Sequence, residues 1–188
     1  MRNPLERLVS AFRDKLSSPL NTSFVKSIFN FNKMKRSILE KYHPEQLKNW
    51  KKNNGSYELK LRFDTFIRWV IDMPNDRLNE HFSPMIINAM PCRIRYNFFA
   101  NFKRMSEDMK LVTDRLGVPY SYYDAEGYYN PGKGTATLLE EYYSMVSNKL
   151  KKALFKDFYQ EFDFYYHLFP EDRNSHISLL GITELIEY

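Results

Sequence analysis

Arg2 and Ser10 suit a definite chemistry, the holding of a phosphate, by their types and their spacing at the head of the chain. They stand eight positions apart, about two turns of an α-helix. Arg2 lies just before a helix start, so its long side chain can fold back toward the Ser10 hydroxyl. A guanidinium fork beside a hydroxyl offers a phosphate several charge-assisted hydrogen bonds. A solvated polar helix face would account for the same residues without any ligand.

The element that must position this pair is written into the residues around it. Asn3 can cap a helix, Pro4 fits the first helical position, and Glu6 stands where a capping-box acid belongs. At about 100° per residue, Leu5, Leu8, Val9, Phe12 and Leu16 gather on one side of that helix. Asn3, Arg7, Ser10 and Asp14 gather on the other, and Arg7 is expected to pair with Asp14 or Glu6.

Farther along, the pattern reads as mostly helical. Ser17-Ser18-Pro19 makes a break, and Phe24, Ile28, Phe31, Ile38 and Leu39 suggest one or two helices ending near Tyr42. Residues 48–56 read as an exposed polar loop. Asp64 can cap a helix carrying Phe66, Ile67, Trp69 and Val70, stopped at Met73-Pro74. Ile94, Tyr96 and Phe98 alternate, which predicts a short strand. Ser106 opens a helix with Met109, Val112 and Leu116 on one face, closed by Gly117. Thr137 with Glu140 forms a second capping box, and Phe155 to Phe169 reads as packed aromatic core.

Composition bounds the possibilities. A chain of 188 residues with 43% hydrophobic and 16% aromatic residues fits one domain with a sizeable core, not a disordered segment. The net charge of +5 predicts attraction to polyanions without choosing among them. A lone cysteine, Cys92, excludes an internal disulfide framework and a multi-cysteine metal site. Asn21-Thr22-Ser23 and Asn54-Gly55-Ser56 are glycosylation sequons compatible with a secretory lumen. No apolar run is long enough to cross a membrane, and no signal-peptide pattern opens the chain.

Two further features attract attention. The stretch from Gly127 to Thr135 nearly spells a nucleotide-binding P-loop, but glycine follows Lys133 where serine or threonine should bind magnesium. It reads as a surface turn, or as a loop whose Lys133 touches an anion. Basic groups at Lys33-Lys35-Arg36, Lys48-Lys51-Lys52 and Lys149-Lys151-Lys152 are solvated helix faces, or the lining of a groove for an acidic polysaccharide.

The first residues, R-N-P-L-E-R-L-V-S-A-F-R-D-K-L, closely resemble the 3′-phosphate motif of the Golgi carbohydrate sulfotransferases, nearest those that sulfate chondroitin and dermatan. The resemblance covers most of the chain. Residues 63–69 look like the family's F-x-x-F-[VI] helix, 79–84 like its N-[DE]-H-W-x-P segment, and 91–98 like its P-C-x-[IV]-x-Y-D-[FY] strand. Ser106-Glu107-Asp108 fits the following helix start, and Glu161-Phe162-Asp163-Phe164 a blurred aspartate-phenylalanine box. The departures are Phe82 for tryptophan, Asn97 for aspartate, Ala89 for the first cysteine of a C-x-x-C pair, and Lys103 for glutamate.

The resemblance implies an α/β, P-loop-like sulfotransferase domain, of which residues 1–188 are a truncated and predominantly helical part. In the complete form, a 5′-phosphosulfate loop and a membrane anchor would precede Met1. It implies PAPS (3′-phosphoadenosine 5′-phosphosulfate) as donor, with Arg2 and Ser10 on its 3′-phosphate and no metal. The acceptor would be a glycan hydroxyl of the chondroitin or dermatan type, in the Golgi lumen, on a single-pass type II membrane protein. His81, the histidine inside a family-like segment, is the candidate base, since an unperturbed imidazole titrates near pH ~6.5. The alternatives are a non-catalytic basic module binding heparin or nucleic acid, and an inactive sulfotransferase relic.

Overall fold

The computed structural model describes residues 1–18, 31–118 and 135–181. The helix α1 (Pro4–Lys15) starts as the sequence predicts: the Asn3 side chain accepts from the amides of Leu5 and Glu6, and Pro4 leads the first turn. Its apolar side is wholly internal, with Leu5, Leu8, Val9 and Leu16 fully buried. Each such side chain contributes about 1.5–3 kcal/mol by leaving water.

After this helical rod come α2 (Phe31–Tyr42), α3 (Pro44–Lys52), α4 (Phe63–Asp72), the single turn α5 (Met85–Ala89) and α6 (Met105–Leu116). They are followed by α7 (Thr135–Ser144), α8 (Asn148–Asp157), α9 (Tyr159–Leu168) and α10 (Arg173–Leu180). The rod packs against α7 and α9, while α4 lies on α2 and α8. Aromatic rings make the joints: Phe12 meets Phe63 and Phe66, each at 5.3 Å between centroids, and Phe63 meets Tyr143 edge-on. Phe82, standing where the resemblance expects tryptophan, is fully buried and touches Phe66 and Trp69.

Several expectations need correction. Residues 48–52 are helical, not loop: the lysines and Asn49 face solvent, while Leu47 and Trp50 on the opposite side of α3 are buried. The turn follows at 53–56, with Asn54 at φ +50°. The helix of Asp64 starts one residue earlier, at Phe63, and the Asp64 carboxylate instead pairs with Arg62 and accepts from the Thr65 amide. Thr137 lies inside α7, whose first residue is Thr135. On α6, which Gly117 does close at φ +66°, Leu116 is exposed, so that face carries no core. No strand forms among the described residues: the segment of Ile94, Tyr96 and Phe98 bends at Ile94 and Asn97 and exposes all three. Alternation makes a strand only where a neighbour supplies the ladder. Phe24, Ile28, the sequon at Asn21 and the glycine-rich stretch with Lys133 lie outside the described residues.

Candidate functional site

Arg2 folds back as its position before the cap predicts. Its Nη1 donates to the Ser10 hydroxyl at 2.9 Å, and its guanidinium lies over the Phe102 ring, 4.2 Å from the centroid. Stacking restrains the planar fork. Both residues are partly exposed. The first amides of α1 are already taken by Asn3, so an anion here meets side chains, aided by the positive end of the helix dipole.

Beneath this pair lies a chain of charge. Glu6 is buried, and desolvation lifts its carboxyl above the usual range against the opposing pull of Lys103 and Arg2. Lys103 stands 3.7 Å from Glu6 and 2.6 Å from Asp172. Asp172 also accepts from the Tyr165 hydroxyl at 2.6 Å. Lys103 thus compensates two buried acids, the physical role of the lysine that departs from the family's glutamate.

Arg7 differs from expectation. Neither Asp14 nor Glu6 is its partner; Asp14 pairs with Lys15 on the surface. Arg7 reaches inward and binds Glu161 of α9 through two bonds of 3.0 and 3.1 Å. Its other terminal nitrogen donates to the carbonyls of Ser83 at 2.8 Å and His81 at 3.4 Å. Burial pushes the Glu161 carboxyl upward, with Arg7 pulling the other way. No local signal in the sequence pairs these two residues, since Glu161 sits within a run of aromatics.

His81 is half-buried beside Phe31, whose ring centroid is 6.0 Å from that of the imidazole. Its amide donates to the Asn79 side chain at 3.0 Å, and its carbonyl is one of the two that Arg7 holds. The imidazole itself makes no hydrogen bond among the described residues. The structure therefore joins His81 to the helix of Arg2 and Ser10 through main chain and Arg7, not by direct contact of the three side chains.

Not every member of the basic groups faces solvent. Lys35 is buried, donates to Ser18, and has its ammonium pKa lowered by burial. Lys151 donates to the Leu179 carbonyl. Cys92 is exposed and free. Among the described residues no helix is long and apolar enough to cross a membrane, and no cluster of His, Cys, Asp and Glu could hold a metal ion.

The chain is 27% identical to carbohydrate sulfotransferase 14 of Danio rerio over 172 residues, which is 90% of this chain and 43% of that protein. It is 25% identical to carbohydrate sulfotransferase 11 of Mus musculus over 169 residues, 86% of this chain and 44% of the relative. With carbohydrate sulfotransferase 9 of Homo sapiens it shares 29% identity over 120 residues, 63% of this chain and 25% of that one. The chain thus spans less than half the length of the relatives it matches, and no solved structure matches it. With residues 1–167 matching the sulfotransferase family, the chain belongs to that family.

Proposed function

We propose that this chain is the donor-anchoring portion of an α/β, P-loop-like carbohydrate sulfotransferase, with Arg2 and Ser10 holding the 3′-phosphate of PAPS. The observation that carries the reading is the 2.9 Å bond from Arg2 to Ser10, formed across eight positions at the partly exposed head of α1. The two donors already converge, so a phosphate entering there need not order them first. The relatives' names add the acceptor class, a carbohydrate. A chondroitin or dermatan hydroxyl is the finer reading from the motif resemblance.

In such a transfer the acceptor hydroxyl attacks sulfur and the bond from sulfur to the donor's 5′-phosphate oxygen breaks. The hydroxyl proton passes to a base. His81 is the candidate base, with its main chain pinned by Arg7 and Asn79 and its imidazole uncommitted. The leaving phosphate would be neutralised from a phosphosulfate loop preceding Met1 in the whole protein. A Golgi lumenal setting fits the exposed sequon at Asn54, in its turn after α3.

Titration with adenosine 3′,5′-bisphosphate tests the donor site. Binding that weakens by about tenfold or more in Arg2→Ala and in Ser10→Ala, with little response to adenosine 5′-phosphate, is the expected result. Salt-sensitive binding of heparin or nucleic acid that ignores both substitutions would replace the proposal with a basic polyanion-binding module.

A further inference from the structure

Arg2 reaches past an acid to meet Ser10. Glu6 stands midway between them, four positions from each, which is about one helical turn either way. Its carboxyl is buried, and both Arg2 and Lys103 act on it electrostatically. Lys103 directly follows Phe102, the ring on which the Arg2 guanidinium lies, and the two share one short helical turn, Phe102–Arg104. The Lys103 ammonium is 3.7 Å from Glu6 and 2.6 Å from Asp172, while its side chain stays 40% exposed. Asp172 and the Tyr165 hydroxyl from which it accepts also face Glu6. That turn therefore brings two things to the head of α1, a ring under Arg2 and a cation beside Glu6.

Charge decides what this arrangement does. A phosphate and the Glu6 carboxylate are rival anions for one guanidinium. A buried carboxylate without a counter-ion is costly, so it draws the nearest cation to itself. Left alone, Glu6 would claim Arg2, and an incoming phosphate would meet the repulsion of the acid beneath. With Lys103 in contact, the charge on Glu6 is met from the other side.

We infer that Lys103 is a positioning residue for donor binding: by neutralising Glu6 it keeps the Arg2 guanidinium directed at Ser10 and at the 3′-phosphate of PAPS. This rests on the role given to Arg2 and Ser10 under the proposed function. Desolvation lifts the Glu6 carboxyl above its usual range, and Lys103 is the largest pull against that rise. Loss of Lys103 raises it further, and acid then removes the rival charge by protonation, as the lysine did by pairing.

Titration of the chain with adenosine 3′,5′-bisphosphate tests the inference. Each variant is compared with the wild type at the same pH, so that the ligand's own titration near pH ~6 cancels. Lys103→Met should bind about tenfold more weakly at about pH 8, with the deficit narrowing to about threefold or less at about pH 5.5. Lys103→Arg should stay within about threefold of wild type at both. In a Glu6→Gln background, Lys103→Met should cost about twofold or less at either pH. A lysine serving stability alone would give neither the pH dependence nor the rescue by Glu6→Gln. Wild-type affinity in Lys103→Met overturns the inference. So does a deficit that is equal at both pH values or persists with Glu6→Gln, since Lys103 would then act on the phosphate directly. Should Lys103→Met fail to fold, Glu6→Gln alone decides: it should bind at least as tightly as wild type, and weaker binding overturns the inference. Wild-type binding that ignores Arg2→Ala overturns the donor-site reading itself, and this inference with it.

Discussion

The Lys103 ammonium lies 2.6 Å from the Asp172 carboxylate, joining the short helical turn before α6 to the start of α10. Its second neighbour is Glu6, so one partly exposed cation serves two acids that are themselves buried. Replacing it by methionine leaves those acids facing each other. Lys103→Met should lower unfolding stability by about 1–3 kcal/mol, and Lys103→Glu, the residue expected from the family pattern, by more. Urea unfolding of the three proteins reads the order, and a Lys103→Glu protein as stable as the wild type would refute it.

The Arg7–Glu161 pair is more deeply enclosed. Arg7→Met strands a carboxylate among apolar groups and frees two main-chain carbonyls, so a loss of about 3–5 kcal/mol is expected. Removing both charges with Arg7→Met and Glu161→Met should cost less than Arg7→Met alone, because no unpaired ion remains. A double-mutant cycle by thermal unfolding checks this.

Acid titration should show an unusual sign. Glu6 and Glu161 have carboxyls raised by burial, so the folded state favours their protonated forms. The stability tied to that preference is complete below the unfolded value of about 4.3 and is lost as pH climbs through the folded pKa. Asp64 runs the other way: desolvation raises its pKa, but the Arg62 and Thr65 bonds prevail and hold it low, so its contribution fades under strong acid. Between neutrality and about pH 4.3, wild-type stability should therefore rise relative to Glu161→Gln as the solution is acidified. Urea midpoints across that window measure the difference, and a falling difference would contradict the assignment.

Tyr143 offers the reverse of a usual hydroxyl deletion. Its ring is fully buried against Phe63, its hydroxyl has no hydrogen-bond partner among the described residues, and burial holds its pKa far above the ordinary phenol range. Tyr143→Phe should leave stability equal or raise it by up to about 1 kcal/mol. Calorimetric melting would show it.

What the sequence made legible follows from the range of the forces involved. Asn3, Pro4 and the leucines of α1 act within a few residues, so cap, helix and the approach of Arg2 to Ser10 could all be read directly. The α3 helix was hidden because Lys48, Lys51 and Lys52 resemble loop polarity unless Leu47 and Trp50 are placed on the other side. The strand at 94–98 was expected from alternation alone, and alternation cannot report whether a partner lies alongside. Arg7 and Glu161 were beyond reach for the plainest reason: they are 154 positions apart, and only packing of α1 on α9 brings them together.

That separation also sets an order of events during synthesis. Arg7 leaves the ribosome well before its counter-ion, which is translated 154 positions later. Until Glu161 emerges, the guanidinium has no reason to turn inward, and the stretch around His81 lacks its clasp. Local helices can form early, but the final topology waits on the arrival of α9. A stalled or shortened nascent chain would thus offer a chaperone an unclasped intermediate.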